Sequence, residues 1–436
     1  MIDPDALNVW NEQRLVGYLW RNPVGYIGFR YDPEWIAAGG FADGTEARAA
    51  RQGGRACGFA VSRTLPLGTD DFAAEDGIAH RFFANLLPEG GVREHIVRDL
   101  KIPNTDFDLL RAIGGECAGA LSILPVERLP SSERHYRPIT DEELANLAAR
   151  RGQIYATWPV DERPRLSLAG AQDKCPVLVR DDGYFLPQRE APSSHILKFE
   201  LADYRHLPAY ETFTTLLAGS VGLPVVDIEL RSIEQTSYAL ITRYDRVWDE
   251  QGEVQRLHQE DFCQALGYAH EKKYQDGGGP SFAQCYSLIQ DVSSDPAIDA
   301  QHLLRWQIFN VLAGNSDGHA KNLSLLHLPN GETRLAPFYD LVCTRAIERI
   351  DYHLAFDVGG ERNPGVITKA HWDALAKQCD IRPRFLGNLV EETTALLVEN
   401  VFPIKEVFEA RFGAYPALQR IEQIVTKQCQ RTVKTK

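Results

Sequence analysis

The chain has 436 residues, more than one hydrophobic core usually organises, so two or three domains or lobes are expected. Hydrophobic residues at 44%, charged residues at 25% and aromatic residues at 10% exclude a disordered, collagen-like or disulfide-scaffold chain. With 47 Lys plus Arg against 60 Asp plus Glu, the formal charge of -13 repels nucleic acid and anionic membrane on average, so any DNA contact must be local or partner-assisted.

The first residues carry Asp3, Asp5 and Glu12 and lack the apolar run of a signal peptide, and no later run reaches the ~18 apolar residues of a membrane span. A cytoplasmic location is therefore expected. The eight cysteines (Cys57, Cys117, Cys175, Cys263, Cys285, Cys343, Cys379, Cys429) are scattered without a CxxC, which reads as small core hydrophobes rather than a zinc site or disulfide framework.

In chain order, residues 8–30 alternate apolar and polar positions around a turn at Asn22-Pro23, the pattern of paired strands. From Ala79 to Leu100 the spacing of Phe82, Phe83, Leu86, Leu87, Val92, Ile96 and Val97 is helical, with a break near Pro88-Glu89-Gly90-Gly91. A polar stretch from Leu129 to Ile139 leads to Thr140 and Glu143, a capping box that opens a helix, and a boundary is placed there. Strand-like runs follow at 175–179, 195–199, 225–233 and 238–248, and beyond Gly277-Gly278-Gly279-Pro280 the pattern is helical, best at 302–314 and 385–402. The predicted division is 1–135, 136–276 and 277–436, an α+β chain whose β-rich part precedes a helical lobe.

The segment Gly314-Asn315-Ser316-Asp317-Gly318-His319-Ala320-Lys321-Asn322 sits between two apolar runs. Asp317 and Asn322 have the separation at which protein kinases carry a proton-accepting Asp and a metal-binding Asn. An Asn/Asp/Gly turn between helices is the plainer alternative. Downstream, Asp340 ends the apolar segment Leu335-Ala336-Pro337-Phe338-Tyr339, as a metal-binding carboxylate or as an ordinary cap or turn residue. Upstream, Arg165 to Lys174 places small residues between strand-like flanks, either a loop whose amides approach phosphate or a hairpin turn. Lys198 has apolar neighbours in HILKFE and needs either a buried partner, such as nucleotide phosphates, or an escape to solvent at a sheet edge.

Taken in order, SLAGAQDK at 167–174, HILKFE at 195–200, RYDR at 243–246, HQEDFCQALG at 258–267, GNSDGHAKNLSLL at 314–326 and LAPFYDLV at 335–342 resemble the signature segments of the HipA family of toxin serine/threonine kinases. FFANLLPEGGVREHIV and FDLLRAIGGECAGALSILP extend that resemblance to the N-terminal part. The resemblance implies a two-lobed, protein-kinase-like fold with an extra N-terminal subdomain. It implies that Asp317 accepts the substrate hydroxyl proton and that Asn322 and Asp340 hold magnesium. ATP would be bound by Lys198, by the loop Ala169, Gly170, Ala171, Gln172, Asp173 and Lys174, by the adenine-contacting hinge Thr242, Arg243 and Tyr244, and by Tyr339. Ser167 matches the family's autophosphorylated serine, whose modification ejects the loop and silences the kinase. His319 and Lys321 lie in the matching loop, with phosphoryl positioning and a structural role both open. Thr242 stands where the best-known family member has an acidic residue, which leaves adenine contact there to the backbone.

The same resemblance implies a type II toxin that phosphorylates a cytoplasmic protein, with glutamyl-tRNA synthetase the expected target, and that inhibits translation and arrests growth. It also implies a HipB-like helix-turn-helix antitoxin that brings operator DNA into a repressing complex. Lys427, Arg431, Lys434 and Lys436 would then either touch phosphates or form a solvated tail. The alternatives are a catalytically silent corepressor and a small-molecule kinase of the aminoglycoside phosphotransferase type.

Overall fold

The computed structural model describes residues 5–38, 58–69, 71–158, 163–170, 172–181, 183–201 and 204–434; Asp3, Cys57, Ala171 and Lys436 lie outside these. The chain forms two compact units. One comprises residues 1–197, 245–271 and 325–332, the other 198–244, 272–324 and 333–436. The strand His195–Phe199 is divided between them, and Lys198 opens the second.

The first unit begins with an antiparallel five-stranded sheet in the order Asp71–Phe72, Ile27–Tyr31, Arg14–Arg21, Leu7–Asn11, Ser122–Pro125. The turn at Asn22 is made by its side-chain Oδ1, which accepts from Val24 N at 3.1 Å and Tyr26 N at 3.0 Å, and this fixes the pairing of the flanking strands. The sheet buries Phe29, Tyr31 and Phe72 with Phe82 and Phe83 of the helix Ile78–Ala84. The helical break near Pro88 is real: the chain resumes as the helix Gly90–Leu100. Thr140 and Glu143 form both bonds of the capping box on the helix Asp141–Ala149. The strands Lys174–Arg180, Gly183–Pro187 and Tyr136–Pro138 pair antiparallel, so the polar stretch before Thr140 contributes an edge strand.

The run 238–248 is broken into strands Thr236–Thr242 and Arg246–Trp248. The break follows from charge. Asp245 accepts from Gly119 N at 2.7 Å and pairs with Arg246 at 2.9 Å, while Arg246 also reaches Glu116 at 3.1 Å, all within the first unit and buried. Glu116 in turn accepts from Ser193 N and Oγ. Buried charges persist where they are paired and hydrogen-bonded.

The second unit is mainly helical. Its hairpin Ile228–Ile233/Thr236–Thr242 is antiparallel, with Ile228 opposite Ile241. The helix Leu207–Ser220 is buried over most of its circumference. So is Pro296–Ala313, which buries Leu303, Leu304, Trp306, Ile308, Phe309, Val311 and Leu312 together with Arg305, Gln307 and Asn310, as a core helix does. The helices Phe282–Val292, Lys369–Gln378, Pro383–Phe412 and Leu418–Lys434 complete the unit. All seven described cysteines are buried and free, as read from their apolar settings. No described helix is long and apolar enough to cross a membrane.

Candidate active site

The central helix stops at Gly314, which takes the left-handed conformation (φ +72°) that a Cβ would strain, and the chain turns into the loop 315–322. The loop is stitched from within. Asn315 donates to Asn310 through backbone and side chain at 2.9 and 3.0 Å, and its Oδ1 accepts from Asp317 N at 3.1 Å. Ser316 bonds Thr344 Oγ1 at 2.7 Å and the Asp351 carbonyl at 2.6 Å. Between residues 311 and 325 Asp317 is the one exposed position. A rigid, buried turn thus presents a single carboxylate at the surface.

Asn322 donates its amide nitrogen to the Asp317 carbonyl at 2.9 Å, which leaves its amide oxygen as the group for a cation. Sequence reasoning paired these residues by spacing, and the structure joins them by this bond. His319 also lies in the loop. Burial drives its pKa down to about 3, with the charges of Lys273 and Lys321 adding to the shift, so the ring is neutral at physiological pH.

Lys198 projects from its strand into the interior of the second unit, where it is 4% exposed; it is not an edge lysine reaching solvent. Its Nζ donates to Glu211 Oε1 at 2.7 Å and to Asp340 Oδ1. Burial alone would discharge the ammonium, but the two carboxylates outweigh it and raise its pKa. Glu211, on the helix Leu207–Ser220, was not anticipated. Burial pushes the Glu211 carboxyl up, against the charge of Lys198, so the ammonium is what keeps this carboxylate in the interior. Asp340 itself adopts φ +54°, a left-handed conformation uncommon for a residue with a Cβ and concentrated at functional sites. Its approach is fixed by backbone bonds from Val226 N to Phe338 O at 3.0 Å and from Phe338 N to Pro224 O at 2.8 Å.

At the end of the hairpin, Thr242 N donates to Asp227 O at 2.9 Å, Arg243 is buried, and Tyr244 stacks on Tyr339 with ring centroids 5.6 Å apart and an interplanar angle of 24°. Both rings pack on Val226, Ile228, Ala239 and Ile241, an apolar wall of the kind that takes a flat purine. The Tyr339 hydroxyl donates to Lys321 O at 2.8 Å and meets Ser324 Oγ at 2.9 Å, which ties this wall to the loop of Asp317 and Asn322.

The loop 167–174 belongs to the first unit. Ser167 is fully buried, and its hydroxyl donates to Leu86 O at 2.8 Å. Parallel bridges join Leu166 to Glu116 and Gly170 to Pro88, and Gly170 has φ +119°. Lys174 Nζ folds back to the Ala169 carbonyl at 2.8 Å. Gln172 is half-buried, and burial pushes the Asp173 carboxyl up. Leu166 and Gly170 thus make isolated bridges outside the strands, not the paired arms of a hairpin.

Among the described residues no group of three or more His, Cys, Asp or Glu makes a ready-built metal site. Magnesium does not need one, since it is usually held by one or two protein oxygens together with nucleotide phosphates and water. Asp340 and Asn322 fit that donor set.

A model of the HipA-like C-terminal domain matches residues 166–401, and a model of the HipA N-terminal domain matches residues 7–124. The chain belongs to the HipA family. The Y4mE protein of Sinorhizobium fredii is 34% identical over 401 residues, covering 89% of this chain and 90% of its own length. The serine/threonine-protein kinase toxin HipA of Shewanella oneidensis is 33% identical over 327 residues, covering 71% and 72% respectively. A solved complex of HipA, HipB and operator DNA from the same organism matches with a TM-score of 0.79 at 26% identity, over 98% of this chain and 97% of the other. The α+β, kinase-like HipA fold expected from the motifs is confirmed, and the relatives of this family are named as kinases, the Shewanella oneidensis one as a toxin.

Proposed function

We propose that this chain is the toxin of a bacterial type II toxin-antitoxin system, a magnesium- and ATP-dependent serine/threonine protein kinase. The observation that carries the reading is the presentation of Asp317 at the surface of a buried loop that also holds Asn322, in the unit that buries Lys198 between Glu211 and Asp340. Phosphoryl transfer asks a protein mainly for positioning and charge, and these residues supply both.

In this mechanism Asp317 accepts the proton of the substrate hydroxyl. Asn322 and Asp340 hold magnesium, which when bound neutralises phosphate charge. Lys198 pairs with the ATP phosphates, and Glu211 keeps its ammonium in place. The stacked rings of Tyr244 and Tyr339 hold the adenine, with the backbone of Thr242 and Arg243 on its edge. The loop 169–174 is assigned to phosphate binding on its family resemblance, and Lys321 supports the loop of Asp317.

Ser167 is the regulatory phosphoacceptor. Its burial means that the loop must leave its place before the hydroxyl can be modified, and a phosphate of nearly two negative charges opposes its return. The target is a cytoplasmic protein, glutamyl-tRNA synthetase, whose modification inhibits translation and leads to growth arrest and persistence. A HipB-like helix-turn-helix antitoxin binds the chain and represses transcription with it at the operator; the solved Shewanella oneidensis complex of HipA, HipB and operator DNA supports this partnership. Functionally, 1–135 is the N-terminal subdomain, 136–276 the ATP-binding part and 277–436 the catalytic helical lobe. Mass spectrometry of phosphorylated Ser167 and synthetase after incubation with Mg-ATP, for wild type and Asp317→Gln, tests the reading.

A further inference from the structure

Tyr274 lies just before the glycine-rich connection and was given no role by sequence or family resemblance. Its hydroxyl donates to Asp317 Oδ1 at 2.5 Å across 43 positions of chain. Four further features fix this contact. The ring meets His319 edge-on, with centroids 5.1 Å apart at 86°. The preceding residue, Lys273, accepts through its carbonyl from Ala320 N at 3.2 Å, so the Tyr274 segment is bonded to the Asp317 loop by backbone as well. Behind it, Gly277 N and Gly279 N both donate to the Tyr274 carbonyl, at 3.2 and 3.0 Å. A Cβ at Gly279 would lie 2.1 Å from the Lys272 carbonyl, so this tight return requires glycine. Gln275 N completes the anchoring by donating to Ala355 O at 3.3 Å.

We propose that Tyr274 is a positioning residue that fixes the orientation of the Asp317 carboxylate for proton acceptance from the substrate hydroxyl. The inference rests on Asp317 being the proton acceptor. An exposed carboxylate otherwise samples several rotamers, whereas a fixed phenol donor holds one oxygen and leaves the plane of the group defined. The anchoring on four sides distinguishes this from a displaceable plug, which needs a segment free to move away. Because Tyr274 acts through Asp317, its contribution disappears when Asp317 is removed.

The test is steady-state phosphorylation by the full-length protein of wild type, Tyr274→Phe, Asp317→Gln and the double variant, with thermal melting as a control. Phe keeps the contact with His319 and deletes only the hydroxyl. The expected result is a fall in kcat of about tenfold to a hundredfold with the KM for ATP unchanged, and a double variant no slower than Asp317→Gln alone. Replacing Tyr274 by 4-aminophenylalanine, which restores a donor at the same place, is expected to recover most of the rate. A Phe variant as fast as wild type, or faster, overturns the proposal while the kinase reading stands. A Phe variant that is slow but not rescued by the amino donor also overturns it. A wild type that transfers no phosphate overturns the kinase reading, and the proposal with it.

Discussion

Lys198 and Glu211 meet at 2.7 Å with side chains 5% and 3% exposed, a charged pair in the interior of the second unit. Each explains the other: an unpaired ammonium or carboxylate at that depth is strongly disfavoured. Asp340 shares the lysine, so the charge that reads as nucleotide-binding also pairs with the candidate metal ligand.

Breaking this pair from one side is expected to be worse than removing both members. Lys198→Met leaves Glu211 buried without its cation and is predicted to lower stability by about 3 kcal/mol. Adding Glu211→Leu should recover part of that loss, as measured by urea unfolding. A double variant less stable than the single one contradicts the account. The pH dependence has a definite sign. The folded-state pKa of Lys198 is raised, so its contribution is complete below the ordinary lysine value and is lost only as pH rises through the folded value.

His258 gives the opposite dependence on the acid side. Burial, with the charge of His327 adding, lowers its pKa to about 3, and its Nε2 meets the Val61 carbonyl at 2.8 Å. Between the unfolded value near ~6.5 and the folded value the unfolded chain binds more protons, so stability falls as pH falls through that window. His258→Gln is predicted to flatten the slope by up to about 1.4 kcal/mol per pH unit. Urea titrations at several pH values read this directly, and an unchanged slope rejects it.

The Tyr244–Tyr339 stack separates binding from chemistry. Tyr244→Ala removes one face of the purine wall and should raise the KM for ATP about tenfold with a smaller change in kcat. Tyr339→Phe keeps the ring but loses the bonds to Lys321 and Ser324, and should lower kcat more than affinity. The reverse pattern rejects this division of labour.

Ser167→Glu places a charge where the serine hydroxyl is fully buried against Leu86 O. Release of the 166–174 segment is expected, seen as proteolytic cleavage there at least about tenfold faster than in wild type. Cleavage at the wild-type rate means that the site accommodates the charge and that phosphorylation does not eject the loop.

Residues close in sequence were the legible ones. Asp317 and Asn322 sit in one loop whose spacing is visible in the chain, and the bond between them follows from that turn. Lys198 was legible as a cation among apolar neighbours that had to find a partner. Its partner was not. Glu211 lies in LPAYETFTTLLAG, and a lone Glu on a helix usually faces water; the available signal was that it is the only charged residue of that helix, with uncharged Leu207, Pro208, Thr214 and Thr215 three and four positions away. Tyr274 escaped because its contact spans 43 positions. The strand run at 238–248 was overextended because periodicity registers Arg243, Tyr244 and Asp245 as alternation, while the buried pairing of Asp245 with Arg246 breaks the strand there.

The most direct measurement is mass spectrometry of the full-length protein incubated with Mg-ATP and glutamyl-tRNA synthetase, comparing wild type with Asp317→Gln. The account predicts phosphate on Ser167 and on the synthetase in the wild type and on neither in the variant. Phosphate on neither in the wild type while ATP binds, or equal phosphorylation by the variant, contradicts the assignment of Asp317 as the proton acceptor of a protein kinase.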